Sequence, residues 1–112
     1  MKILACIPAF NEENIIGDVV KKTLSYVDKV IVCDDGSVDN TFNEAKIAGA
    51  EVIHHSENLG KGAALKSLFN YARNSNFDAI VTIDGDGQFL PEEITSLVKS
   101  IVSSMWILFL SN

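Results

Sequence analysis

Short apolar runs alternate with longer amphipathic segments along most of this 112-residue chain. The apolar runs are rich in β-branched residues, and Gly, Asn or Asp marks each change to helical periodicity, a pattern that indicates repeated β-α units. The predicted strands are residues 2–7, 29–33, 51–54 and 79–83, and the predicted helices are residues 13–26, 41–48, 62–75 and 91–103.

Helix-end signals support this assignment. Asn11 is expected to cap the first helix and Asp39 the second, while Gly49 should end the second and Pro91 suits the first turn of the last. The run 30–33 has no polar alternation, so both faces of its strand should be covered. The sequence therefore predicts an α/β fold, a Rossmann-like parallel sheet with helices on both faces.

Composition limits the size and partners of the chain. With 112 residues, 47% of them hydrophobic, the chain is long enough for one compact domain with a core, assigned to residues 1–103. The net charge of −6 leaves no broad basic surface, which argues against nucleic acid as the main partner. The first apolar run has five residues, 3–7, too few for the core of a signal peptide. Cys6 and Cys33 lie in apolar runs and are interpreted as buried thiols of a reducing compartment, so a cytoplasmic location is expected.

The C-terminal residues 104–112 form an oily tail that is too short to span a bilayer. Three interpretations stay open at this point. The tail is a truncated or out-of-frame end, a fifth strand at the sheet edge, or an exposed apolar segment that seeks a partner, another copy of the chain or a membrane surface.

The chemistry begins where the fourth predicted strand ends. Asp84 and Asp86 form a D-x-D pair of carboxylates, a pattern suited to a divalent cation, and Gln88 adds a neutral oxygen. The intervening Gly85 allows a bulky ligand to approach the backbone closely. Asp and Gly are also common in turns, so this segment alone leaves a plain turn as an alternative.

Three more polar loops follow the other predicted strands: the first loop at residues 8–13, the second at 34–39 and the third at 58–62, with residues 84–88 as the fourth. Loops that follow parallel strands emerge at one edge of the sheet, where ligands bind, so all four should converge on one crevice. Each has a structural alternative. Residues 11–13 could be only a helix cap. The adjacent carboxylates of Asp34 and Asp35 repel each other and are kept more readily when one meets a donor or a cation.

Several familiar sites are excluded by spacing. The segment around Lys61 lacks the earlier glycine and the following Ser or Thr of a Walker loop, although this lysine at a helix start could meet a diphosphate or lie on the surface. His54 and His55 should point to opposite faces of a strand and so not share one ion. Phe89 stands where a calcium-binding EF-hand loop needs glycine.

The four loops together resemble the N-terminal half of family 2 glycosyltransferases of the GT-A fold. The resemblance covers residues 2–102 and rests on motifs at 7–13, 32–41, 58–64 and 84–88. The continuation of the last motif to residue 94 is most similar to the branch that makes dolichyl- or polyprenyl-phosphate sugars. The resemblance implies that Asp35 accepts a hydrogen bond from a nucleotide base. It implies a nucleotide-sugar site formed by Pro8, Phe10, Glu12, Asp35, Lys61, Asp84, Gly85 and Asp86, with Mg²⁺ or Mn²⁺ held by Asp84, Asp86 and Gln88.

Two functions follow from the resemblance. The first is inverting transfer of a sugar from a UDP- or GDP-linked donor to an acceptor such as a polyprenyl phosphate, at the cytoplasmic membrane surface. A lipid phosphate is already an anion, so it needs no general base. The second is a catalytically incomplete nucleotide-diphosphate-binding module, because family catalytic domains continue into a second half that forms the acceptor site.

Overall fold

The computed structural model describes residues 2–85 and, as a backbone strand, residues 106–110. The predicted helix at 91–103 lies outside the described residues, as do Asp86 and Gln88. The described elements are β1 (Ile3–Ala9), α1 (Ile16–Leu24), β2 (Lys29–Asp35), α2 (Thr41–Ile47), β3 (Glu51–His55), α3 (Lys61–Arg73), β4 (Ala79–Ile83) and β5 (Trp106–Leu110).

The strands form one sheet in the order β3-β2-β1-β4-β5, and every neighbouring pair is parallel. The predicted parallel α/β sheet is confirmed. Its strand order reverses at β1, whose neighbours are β2 on one side and β4 on the other. Of the three interpretations of the tail, the fifth strand matches the structure, because Trp106 to Leu110 pair in register with Ala79 to Ile83.

Two apolar cores lie on opposite faces of the sheet, as the lack of polar alternation predicted. On one face, Ile7 of β1 packs with Val20 of α1 and Ala45 of α2. On the other face, Leu4 of β1 packs with Leu68 and Ala72 of α3. All six side chains are fully buried, and burying a leucine or isoleucine contributes about 1.5–3 kcal/mol.

One helix start differs from the prediction. The expectation that Asn11 caps the first helix is wrong, because α1 begins at Ile16 and the Asn11 side-chain oxygen accepts the Val38 N–H at 3.0 Å. Asn11 also adopts a positive φ of 53°, which takes the chain out of helical geometry. The first loop is thus tied to the second loop instead of opening the helix.

The second helix follows the prediction more closely. Its N-cap position is Asn40, one residue after Asp39, but Asp39 accepts the N–H of Thr41, the first residue of α2, at 3.0 Å. Gly49 follows the helix end with a φ of 113°, so glycine terminates α2 as expected. Within the described residues, no helix is long and apolar enough to cross a membrane.

Both cysteines are free and fully buried in the sheet, as predicted. Burial raises the pKa of the Cys6 thiol to about 12, and burial together with the charges of Asp35 and Asp34 does the same for Cys33. Because the thiolate is the reactive form, both thiols are chemically quiet at neutral pH.

Candidate functional site

A pocket of about 390 Å³ opens at the carboxyl ends of β1, β2 and β4, beside the start of α3. This is the sheet edge at which the sequence placed the four loops, and it lies where the strand order reverses. The lining residues are Pro8, Ala9, Phe10, Glu12, Asp35, Asn58, Gly60, Lys61, Ala64, Asp84 and Gly85.

Seven of the nine predicted site residues line this pocket, and the other two, Asp86 and Gln88, lie outside the described residues. Sequence reasoning did not name Ala9, Asn58, Gly60 or Ala64 as site residues. Asn58 and Gly60 belong to the third polar loop, and that loop was their signal. Small apolar side chains such as those of the two alanines carry no chemical signal of a site.

Asp35 holds the third loop against the end of β2. Its Oδ1 accepts the N–H of Leu59 and its Oδ2 the N–H of Gly60, both at 2.9 Å. The ring Nδ1 of His55 lies 2.8 Å from the same Oδ1. Asp35 is only 3% exposed, so its acidic group is buried, and the three contacts above supply it with hydrogen-bond donors.

The neighbouring carboxylate, Asp34, has donors of its own. It accepts the Ser37 N–H at 3.1 Å and lies 3.1 Å from Nδ1 of His54. Consecutive residues of a strand point to opposite faces, so the two acids are separated although adjacent in sequence. Each acid meets donors, as the sequence required, and each histidine pairs with a different aspartate rather than sharing a partner.

Lys61 and Asp84 form an ion pair across the pocket, with 2.7 Å between Nζ and Oδ1. Lys61 comes from the first turn of α3 and Asp84 follows β4, so the third and fourth loops meet here. The Asp84 side chain is 25% exposed and the Lys61 side chain 63%. Because the Asp84 carboxylate already contacts one cationic group, the site is suited to positive charge.

Gly85 brings the fourth loop against the first. A Cβ atom at this position would lie 3.1 Å from the carbonyl oxygen of Pro8, which is tighter than ordinary van der Waals contact. Phe10, from the same first loop, is 42% exposed and lines the pocket with its aromatic side chain. The pocket therefore combines an aromatic wall with a carboxylate and an ammonium group.

Acid should weaken this arrangement. Burial opposes ionisation of Asp35, but hydrogen bonds from His55, Leu59 and Gly60 outweigh it and lower the pKa of the carboxyl below its usual value. The pKa of Asp39 is also lowered, because hydrogen bonds from Thr41 and Glu13 outweigh its burial. A depressed pKa stabilises the fold above the unfolded-state value of about 3.9, and this contribution is lost as the pH falls through the folded-state pKa.

We therefore expect the free energy of unfolding to fall as the pH drops below about 4. Urea denaturation at neutral pH and at the lowest pH that keeps the chain folded measures this fall. Asp39→Asn should lose less stability on acidification than the wild type, because one of the titrating groups is gone. Equal losses in the two proteins would contradict the assignment.

The chain is related to a known protein family. The family model described as "Glycosyl transferase family 2" matches residues 4–105. The chain belongs to this family. The resemblance seen in the four motifs is therefore confirmed, and the matched range covers every residue of the pocket.

Two curated relatives illustrate the relationship. The UDP-N-acetylglucosamine--dolichyl-phosphate N-acetylglucosaminyltransferase of Methanococcus voltae is 32% identical over 119 residues, which cover 90% of this chain and 47% of that protein. An undecaprenyl-phosphate 4-deoxy-4-formamido-L-arabinose transferase of Shewanella sediminis is 35% identical, over 82% of this chain and 30% of that protein. The chain spans less than half the length of these relatives.

A solved structure of a related enzyme has the same fold. The glucosyl-3-phosphoglycerate synthase of Mycobacterium tuberculosis, in complex with Mn²⁺, UDP and glucosyl-3-phosphoglycerate, superimposes with a TM-score of 0.74 at 30% identity. The match covers 92% of this chain and 40% of the synthase. A second structure of that synthase contains Mg²⁺ and UDP. Divalent metal and UDP thus occur together in a relative of this chain.

Proposed function

We propose that this chain is the donor-binding half of a family 2 glycosyltransferase. In this function it binds a nucleoside diphosphate sugar, linked to UDP or GDP, at the pocket where the four loops meet. The observation that carries the proposal is the meeting of Phe10, Asp35, Lys61 and Asp84, from four separate loops, in one pocket at the switch point of the sheet.

Each group suits one part of such a donor. Phe10 offers an aromatic face to the base, and Asp35 offers a carboxylate to its N–H groups. Lys61 pairs now with Asp84 and stands at a helix start, a position from which its ammonium can meet a diphosphate. Glu12 and Pro8 line the same wall, and Gly85 lets the ligand approach the backbone after β4.

The carboxylate of Asp84 fits a divalent cation. Carboxylate and amide oxygens are the ligands that Mg²⁺ and Mn²⁺ prefer, and we propose Asp86 and Gln88 as the companions of Asp84. Among residues 2–85, no three His, Cys, Asp or Glu side chains converge in a way that could hold a metal. A bound Mg²⁺ or Mn²⁺ ion would act as a Lewis acid that stabilises the negative charge on the departing diphosphate.

The acceptor in this proposal is a polyprenyl phosphate. Its phosphate oxygen attacks the anomeric carbon from the face opposite the diphosphate, the bond from that carbon to the diphosphate oxygen breaks, and the electron pair leaves with the diphosphate. No proton has to be removed, because the attacking oxygen is already anionic. A lipid acceptor would place the reaction at the cytoplasmic membrane surface. Separately, the edge strand β5 offers an apolar segment through which two copies of the chain could associate.

A second function is favoured by the coverage of the relatives. The chain spans 30–47% of the two curated proteins described above. A module of this length would bind UDP or GDP with metal and transfer nothing, until a second half supplies the acceptor site.

Replacing Asp84 tests the donor site. Calorimetry with UDP and with GDP, each with and without Mn²⁺, should show binding that Mn²⁺ tightens in the wild type. In Asp84→Asn we expect this metal-dependent gain to fall by about tenfold or more, because a charged ligand of the metal becomes neutral. Asp86→Ala should behave alike. Asp78→Ala is the control, since Asp78 lies at the opposite edge of the sheet, where it accepts the N–H of Lys2.

The outcomes separate the two functions. Transfer of a sugar to a polyprenyl phosphate by the 112-residue chain would establish the transferase. Metal-dependent binding without transfer would establish the binding module. Wild-type chain that binds neither nucleotide in a metal-dependent way would overturn both.

A further inference from the structure

A chain of three polar side chains lies behind the pocket. Nδ1 of His55 is 2.8 Å from Oδ1 of Asp35, and Nε2 of the same ring is 2.8 Å from Oγ of Ser67. These residues come from β3, β2 and α3, so the ring joins three elements. The His55 side chain is 11% exposed, and neither His55 nor Ser67 lines the pocket. Any effect of His55 on a ligand in the pocket is therefore exerted through Asp35.

The hydrogen bonds fix the tautomer of the His55 ring. The carboxylate can only accept, so Nδ1 carries the proton and donates to Asp35. In the neutral ring Nε2 is then the acceptor, and the Ser67 hydroxyl donates a hydrogen bond to it. The Cys33 thiol lies 3.6 Å from Nε2 and completes the surroundings. Ser67 thus prevents the ring from turning its Nδ1–H away from Asp35.

The Asp35 carboxylate has few acceptor positions left for a ligand. A carboxylate has about four lone-pair positions, two on each oxygen. Leu59 N–H and His55 occupy both on Oδ1, and Gly60 N–H occupies one on Oδ2. One position, on Oδ2, is left by the described residues. The side chain is 5% exposed, in keeping with a single point of access from the pocket.

The nucleobases differ in how many donors they present to such a group. Guanine has two adjacent donors, N1–H and the N2 amino group, and a carboxylate meets both only when each oxygen has a free position. Uracil has one donor, N3–H, between two carbonyl oxygens. A carboxylate with one free position satisfies the single donor of uracil and leaves a guanine donor unpaired, which costs affinity.

We propose that His55, held by Ser67, is a positioning residue that leaves Asp35 one free acceptor and so makes the pocket select UDP over GDP. This inference rests on the proposed function, because it requires that the base of the donor meets Asp35. It goes beyond that function by naming uracil as the preferred base and His55 as the residue that sets this preference from outside the pocket.

The test is the ratio of the dissociation constants for GDP and UDP, measured by calorimetry with Mn²⁺ on the 112-residue chain. We expect the wild type to bind UDP roughly tenfold more tightly than GDP, the effect of about one buried hydrogen bond. His55→Leu removes the contact that holds the Asp35 carboxylate in place, so a second acceptor position can turn toward the base, and the ratio should come to within about threefold of unity. His55→Asn can keep a donor near the place of Nδ1 and should restore the wild-type preference.

Two further variants keep the test decisive. His54→Leu is the matched control, since His54 pairs with Asp34 and should leave the ratio unchanged. Ser67→Ala, on α3, should lower the ratio even if His55→Leu fails to fold. A ratio unchanged in both His55→Leu and Ser67→Ala, an equal loss of both nucleotides, or a wild-type preference for GDP would overturn the inference while leaving the donor site intact. If the wild type binds neither nucleotide, the proposed function itself has failed.

Discussion

Gly36→Ala is expected to destabilise the chain by about 3 kcal/mol or more. Gly36 has a φ of 73°, a conformation that costs other residues energy. A Cβ atom there would also lie 2.2 Å from the carbonyl carbon of Glu57 and 2.4 Å from the Asn58 nitrogen. These are backbone atoms, so the third loop must move away from β2.

Urea denaturation measures this effect, and Gly62→Ala is the matched control. Gly62 lies in the first turn of α3, where an added Cβ meets nothing within 4 Å. Because alanine favours a helix over glycine, this control should be neutral or stabilising by about 0.5–1 kcal/mol. Since Asn58 lines the pocket, Gly36→Ala should also weaken UDP binding. A Gly36→Ala chain as stable as the wild type would refute the close approach of the two loops.

Asp35→Ala should destabilise the chain by about 3 kcal/mol and abolish measurable UDP binding. The substitution leaves the N–H groups of Leu59 and Gly60 and the ring of His55 without their acceptor. Buried donors that lose a partner cost about 1–3 kcal/mol each, and the loop can recover part of this by opening to water.

The control for Asp35→Ala is Asp18→Ala. Asp18 forms an ion pair with Lys22 at 2.9 Å, but its side chain is 66% exposed. Surface pairs of this kind contribute about 0–1 kcal/mol, so this variant should stay close to the wild type. Chemical denaturation gives both stabilities, and calorimetry gives UDP binding. A loss below about 1 kcal/mol in Asp35→Ala would show that the third loop is held by other contacts.

The fold was largely predictable because parallel strands buried on both faces carry long apolar runs. The limits of β4 were predicted to the residue, and β3 differed by one. The sheet extends two residues further than predicted in β2, through Asp34 and Asp35. Charged residues normally end a buried strand, and here they continue it because donors distant in sequence, at His54, His55 and the third loop, satisfy them.

The site was predictable at the level of loops and less so at the level of bonds. The convergence of Phe10, Asp35, Lys61 and Asp84 follows from the geometry of a parallel sheet. The ties between loops do not follow from local sequence. Asn11, expected as a cap, binds the N–H of Val38, 27 residues away, and no periodicity encodes such a contact. The strand pattern predicts only that His55 points to the face opposite His54, and its place beside Asp35 depends on the register of β3 on β2.

The central position of β1 has a consequence for synthesis. The strand is made before β4, yet β4 is one of its neighbours, and Ile3 pairs with Ala79. At about 5–20 residues per second, a ribosome needs roughly 4–15 s to make the intervening chain. During that interval the apolar β1 strand has an unpaired edge. It is therefore the segment of the nascent chain that most needs protection from aggregation, by a chaperone or by early pairing with β2.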